Sequence, residues 1–127
     1  MLLGKDKRDL GRLGERTAEA FLRRLGYHIL VRNYRCPRGE LDLVVRDGAT
    51  LVFVEVRSHT GIAFGDPLES VTLRKQRQIA KAALHYVMMH RLEEQAMRFD
   101  VIGLCWKDGI PSFSHVKAAF ELPAKGW

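Results

Sequence analysis

Two apolar runs, Glu40-Leu41-Asp42-Leu43-Val44-Val45-Arg46 and Leu51-Val52-Phe53-Val54-Glu55-Val56-Arg57, flank Asp47-Gly48. Asp-Gly between β-branched runs is a strong hairpin signal. Both runs are mostly apolar on both faces, so these strands belong in the middle of a sheet covered on each side. A hairpin loop of even length pairs even positions with odd ones. A two-residue Asp47-Gly48 loop and a four-residue Asp47–Thr50 loop both satisfy this. Asp42 and Glu55 then share one face of adjacent strands, with Arg57 beside Glu55. Val44, Leu51 and Phe53 are their neighbours on that face. The opposite face carries only Leu41, Leu43, Val45, Val52, Val54 and Val56.

The flanking segments supply the covering layers. Leu10, Leu13, Gly14, Ala18, Phe21 and Leu25 recur at helical spacing, predicting a helix from about Asp9 to Leu25 that stops at Gly26. Glu15 and Leu22 lie along one edge of its apolar stripe. Tyr27 to Tyr34 reads as a strand, Cys36-Pro37-Arg38-Gly39 as a turn, and His59 to Glu69, with Gly61, Gly65 and Pro67, as a loop. Thr72 caps a long helix to about Arg91, with Ile79, Ala82, Ala83, Tyr86 and Val87 facing inward. Arg98 to Trp106 and Ser112 to Phe120 are strands joined by a turn at Asp108-Gly109, with a short tail after them. The order is helix, three strands, helix, two strands. It predicts an α/β fold, a mixed central sheet flanked by helices. The 127 residues, 46% of them hydrophobic, suit one domain over 1–127 with one core. No repeat, linker or low-complexity segment divides it.

No apolar run is long enough to span a membrane. The start, Met1-Leu2-Leu3-Gly4-Lys5-Asp6-Lys7-Arg8-Asp9, turns charged at once and lacks the features of a signal peptide, so a cytoplasmic protein is expected. Cys36 and Cys105 are far apart and fit a reduced pair better than a disulfide. No Cys/His cluster has zinc spacing. Lys and Arg outnumber Asp and Glu by 21 to 15, a net +6 that favours a polyanionic partner. A soluble protein that is merely basic fits the same count.

Carboxylates in a largely buried strand pair are costly unless paired or bound to a cation. Oxygen ligands around one point suit magnesium or manganese. On pattern alone a second reading stands beside this one. Glu40 and Asp42 could lie at a frayed strand start, and Glu55 could pair with an arginine.

Gly39-Glu40-Leu41-Asp42, then about a dozen residues, then Val52-Phe53-Val54-Glu55-Val56-Arg57, resembles the signature of PD-(D/E)XK nucleases. Gly11-x-x-Gly14-Glu15, Arg32-Asn33-Tyr34-Arg35, Phe64-Gly65-Asp66-Pro67 and Arg98-Phe99-Asp100-Val101 extend the match from about Gly11 to Phe120. Together they resemble the YraN-like bacterial family, of uncharacterised function and related to archaeal Holliday junction resolvases. The resemblance implies a restriction endonuclease-like core. It implies a magnesium- or manganese-dependent nuclease acting on DNA rather than RNA, on branched or damaged forms. It makes Asp42, Glu55, the Val56 carbonyl and Glu15 the metal ligands. Arg57 takes the lysine place of the acidic-x-Lys triplet, and Gln76 the place of a glutamine near the site. Junction resolvases are symmetric dimers, so a homodimer goes with the resemblance; nothing in the chain itself marks the interface.

Arg57 is the main departure. An arginine stays charged and cannot serve as a base, although it can clamp phosphate. Arg35, Arg38, Arg74, Lys75, Arg77 and Lys81 would contact the nucleic-acid backbone without reading sequence; a solvated helix face is often as basic. His28, His85, His90 and His115 read as surface or satisfied core positions, while His59 stands at the mouth of the proposed site. Phe99, Trp106 and Phe113 read as core, Met88-Met89 as core or dimer contact, and Asp100 as structural. Three functions therefore compete: a metal-dependent nuclease, a non-catalytic nucleic-acid-binding protein that keeps the nuclease fold, and an interaction domain whose carboxylates serve only salt bridges.

Overall fold

The computed structural model describes residues 7–60 and 66–122, the first two by backbone alone. The sequence features at Met1–Asp6, at Gly61, Phe64 and Gly65, and in the tail beyond Leu122 lie outside the described residues. The elements run α1 (Lys7–Arg24), β1 (His28–Cys36), β2 (Gly39–Asp47), β3 (Thr50–Thr60), a short 3-10 turn (Pro67–Ser70), α2 (Leu73–Met89), β4 (Met97–Lys107) and β5 (Ile110–Phe120). The predicted order holds. The segment read as a loop after His59 instead begins as strand, to Thr60, and ends as the 3-10 turn, whose Leu68 N–H donates to the Asp66 carboxylate. Among the described residues no helix is long and apolar enough to cross a membrane.

The five strands stand in the order β1-β2-β3-β4-β5, antiparallel throughout except for β3 and β4. Parallel neighbours need a crossover, and the 3-10 turn and α2 provide it. The β2–β3 hairpin closes with Asp47 opposite Thr50, so the loop is Gly48-Ala49. Gly48 has φ 58°, the conformation a glycine takes at the first corner of a type II′ turn. The register is the one the four-residue Asp47–Thr50 loop would give, closed one pair further.

Each face of the sheet is covered. On one side Ala18 and Leu22 of α1 pack with Leu43, Val45, Val52, Val54, Ile102 and Leu104. On the other, Ile79, Ala83, Tyr86 and Val87 of α2 pack with Val44, Leu51, Phe53 and Phe99. This mixed sheet between helices is the layout expected of a restriction endonuclease-like core. The expected face of Leu41 needs correcting. Strict alternation puts it with Leu43 on the α1 side, yet it is buried in the α2-side cluster with Val44. Val31 and Tyr34 of β1 also both pack there, three positions apart. Between them Asn33 has φ 51°, a left-handed conformation that asparagine tolerates, and it lies opposite Asp42. One distortion thus shifts the alternation of both strands, and Asp42 sits at its centre.

The expected structural role of Asp100 is seen in full. Its buried carboxylate accepts from Arg98 Nε at 3.0 Å and from the Ala118 N–H at 3.1 Å, and meets His115 Nε2 at 2.8 Å. Arg98 also reaches Asp47 and the Tyr27 hydroxyl, both at 2.9 Å. Burial alone would raise the Asp100 pKa; the bonds from His115, Arg98 and Ala118 more than offset it and hold the carboxyl below its ordinary range. The network fastens the irregular end of β5 to β4, beside the α1–β1 corner. Asp100→Ala leaves Arg98 and the Ala118 N–H without their central acceptor. Urea denaturation should show a loss of about 3–5 kcal/mol, the usual cost of breaking a buried ion pair. A loss below about 1 kcal/mol would mean that β5 is held by its ladder alone.

Candidate functional site

The β2–β3 ladder ends at Leu43 opposite Val54. Beyond that point the Val56 N–H donates to Asp42 Oδ2 at 2.8 Å. A side chain has replaced the backbone acceptor, and the strands part. Into the parting open residues of both helices: Leu10, Gly11 and Glu15 of α1, and Lys75 of α2. They line a cleft of about 660 Å³ with Asp42, Glu55, Arg57 and His59. A second hollow of about 610 Å³ shares Gly11, Glu15, Asp42 and Lys75 and continues toward Arg12, Asn33, Arg35 and Glu40. Asp42 and Glu55 therefore form the floor of a continuous groove.

Close approach of α1 makes this possible. A methyl group at Gly14 would fall 2.9 Å from both Cβ and Oγ of Ser58 on β3, so only glycine lets the helix lie this near the strand. Ser58 is itself held by Trp106, whose Nε1 donates to its Oγ at 2.7 Å. The next residue after Gly14 is Glu15, which is thereby delivered to the cleft. Ser58 carries no motif that would have flagged it. The Gly11/Gly14 pair, one helical turn apart, was the available signal.

Burial raises all three acids, and the Asp42 charge raises Glu55 and Glu15 further. Glu55 is 5% exposed and is pushed up to about 8, first by burial and then by the Asp42 charge. Burial also raises Asp42, against the opposing pull of the Val56 N–H, a hydrogen bond from Glu55 and the Lys75 charge. A hydrogen bond between the two carboxyls draws Asp42 down and pushes Glu55 up. Glu15 rises to about 7, from burial and the Asp42 charge, although the Asn33 amide donates to it. Among the described residues no three His, Cys, Asp or Glu side chains converge closely enough to hold an ion unaided. The groups that could serve as donors are the Asp42–Glu55 pair and the Val56 carbonyl, with Glu15 lining the same cleft. Such a set fits a magnesium-type ion, which takes one or two carboxylates and keeps several waters.

The other expected site residues divide. Arg57 Nη1 lies 3.5 Å from Glu55 Oε2, and its Nε donates to Ser70 Oγ at 3.2 Å. Ser70 in turn donates to the Pro67 carbonyl at 2.7 Å, so Arg57 ties the 3-10 turn to β3. Gln76 is not brought to the carboxylates: its amide donates to the Val71 carbonyl at 3.0 Å, and it lines a separate hollow with Leu73, Arg77 and Glu121. Lys75, expected only as a backbone contact, lines the cleft instead. Arg35 reaches the second hollow while pairing with Glu40 at 3.3 Å. Arg38 and Lys81 open with His85 and Met88 onto a different hollow, and Arg74 is exposed. Arg12, which no motif marks, and Asn33, which lies in a matching motif but carried no expected role, also line the groove. His85 meets the Tyr34 hydroxyl at 2.6 Å, His115 belongs to the Asp100 network, and Met88 and Met89 are exposed rather than core. Cys36 and Cys105 form no disulfide.

The family model described as "Uncharacterised protein family UPF0102" matches residues 14–104. The chain is 48% identical over 118 residues to the UPF0102 protein of Geotalea daltonii, across 92% of this chain and 93% of the relative. It is 46% identical over 115 residues to that of Geobacter metallireducens, across 91% and 94%. It is 38% identical over 117 residues to that of Caldicellulosiruptor saccharolyticus, across 91% and 99%.

The raised acids set a pH dependence. An unfolded glutamate titrates at its ordinary 4.5, whereas folded Glu55 titrates near 8 and Glu15 near 7. Between these values the native state holds more protons than the unfolded one, so stability present at low pH is lost as pH rises. The metal-free melting temperature should fall from pH 5 to pH 8.5. Manganese should restore it at pH 8.5 and do little at pH 5, and Asp42→Asn should flatten the fall. An equal fall in wild type and Asp42→Asn would mean that the acids are not coupled.

Proposed function

As the chain belongs to the Uncharacterised protein family UPF0102, whose description names no activity, we propose its function from the cleft: a metal-dependent nuclease hydrolysing phosphodiester bonds in DNA. One observation carries this reading. Two carboxylates of like charge, Asp42 and Glu55, meet at the floor of an open groove rimmed by Arg12, Arg35, Arg57 and Lys75. Satisfying two buried acids with a proton costs the site its charge; a divalent cation satisfies both.

Asp42, Glu55 and the Val56 carbonyl would hold Mg²⁺ or Mn²⁺, with Glu15 completing the acidic cluster. Such an ion, when bound, polarises a phosphate oxygen and makes a water a better nucleophile. The chain's own groups do the rest. The Val56 N–H keeps Asp42 aimed into the cleft. Glu15, titrating near 7, can take or release a proton close to neutral pH. The arginines of the groove rim neutralise strand phosphates without reading bases. DNA rather than RNA, a branched or damaged substrate and a symmetric homodimer are what the likeness to junction resolvases would imply, and a single domain over 1–127 is what the chain's length and composition suggest.

A second reading has its own observation. Arg57 replaces the lysine of the triplet and is occupied by Ser70 and Glu55, which favours a protein that binds nucleic acid and does not cut it. Cleavage of a labelled four-way junction, duplex and single strand in Mg²⁺ or Mn²⁺ separates the two. Asp42→Ala should lower cleavage at least about 100-fold, since the metal contributes several kcal/mol to such a step. Arg57→Lys should keep or raise it. Strand binding with no cutting by wild type supports the second reading. No affinity for metal or nucleic acid would leave the carboxylates as salt-bridge partners only.

A further inference from the structure

The triplet's third residue does not present a mobile amine to the cleft. Arg57 is planar, always charged, and bonded on one side to Ser70 and on the other to Glu55. Its fork holds the 3-10 turn against β3. A different cation enters the cleft from the opposite wall. Lys75 lies in the first turn of α2, where its backbone N–H donates to the Thr72 cap at 3.1 Å. Its half-buried side chain lines both hollows of the groove together with Glu15 and Asp42. Among the described residues Lys75 closes no ion pair. Both floor acids nonetheless feel its charge. An ammonium facing two carboxylates across an open gap, without touching either, leaves room between them for a third group.

We infer that Lys75, rather than Arg57, is the catalytic cation of this chain, gripping a non-bridging oxygen of the phosphate that lies over Asp42 and Glu55. The inference rests on the nuclease reading and assigns the charge-stabilising role within it. Hydrolysis forms one P–O bond from water and breaks another to the departing oxygen. The water's proton passes to solvent and the departing oxygen collects one. Lys75 stays protonated throughout and contributes charge and a hydrogen bond alone. Arg57 is then a positioning residue, acting through Glu55 and the 3-10 turn.

The test measures three quantities on wild type, Lys75→Met, Lys75→Arg and Arg24→Met: Mn²⁺ affinity, affinity for a short DNA strand in Ca²⁺, and cleavage in Mg²⁺. Arg24 is exposed at the far end of α1 and controls for the loss of one positive charge. Lys75→Met should weaken strand binding about tenfold, the value of one charge-assisted contact. It should lower cleavage by about 100-fold or more, as removal of a transition-state donor does elsewhere. Its Mn²⁺ affinity should hold or rise, because a neighbouring cation is gone. Lys75→Arg should regain most of the strand affinity, and Arg24→Met should match wild type. Unchanged strand binding in Lys75→Met, or a parallel loss of Mn²⁺ and strand binding, overturns the assignment. Wild type that never cuts overturns the nuclease reading by itself, and the Lys75 contact then stands or falls on the strand affinity in Ca²⁺.

Discussion

The register of the β2–β3 hairpin is the constraint on which the rest of this structure depends. Asp47 opposite Thr50 sets every pair below it, down to Leu43 opposite Val54. A slip by one residue would turn the whole apolar set of one strand outward. In the native register both faces of the hairpin are buried, one under α1 and one under α2. The same register brings Asp42 opposite Glu55 where the ladder stops. The site is therefore the end of the core hairpin, at the place where its backbone pairing gives way to a side chain.

That placement explains why the carboxylates are costly. They are held by strands whose positions are fixed by packing on both sides, so they cannot swing apart into water. Neither acid can be fully ionised without meeting the other's charge in a poorly solvated place. A hydrogen bond between the two carboxyls eases this, and on the proposed reading a divalent cation would ease it further. The buried network around Asp100 makes the contrast. There too an acid is buried, but Arg98, His115 and a backbone N–H satisfy it completely and hold its pKa down. One acid stabilises the sheet; the other two line an open cleft.

Much of this was legible in the residues. Two β-branched runs around Asp47-Gly48 announce the central hairpin, and parity alone sets Asp42 beside Glu55. Thr72 and the spacing of Ile79, Ala83 and Tyr86 mark α2 to within a residue or two. What the pattern hid were departures from regular geometry. The left-handed Asn33 shifts the alternation of β1 and β2 together, so Leu41 changes face. Period-two reasoning assumes that no such defect occurs. Lys75 and Gln76 are adjacent in sequence, yet about 100° apart around the helix axis, and only Lys75 lines the cleft, without touching the carboxylates. No helical wheel shows which of the two faces a cleft until the cleft's position is known.

The metal centre is the claim from which the chemistry follows, and diffraction at the manganese absorption edge from crystals grown at pH 8 with Mn²⁺ tests it most directly. One anomalous peak is expected on the floor of the groove, about 2.1 Å from a carboxylate oxygen of Asp42 and of Glu55, with the hydrogen bond between the two carboxyls broken. A peak elsewhere, or none at saturating Mn²⁺ with the two carboxyls still hydrogen-bonded to each other, would contradict it.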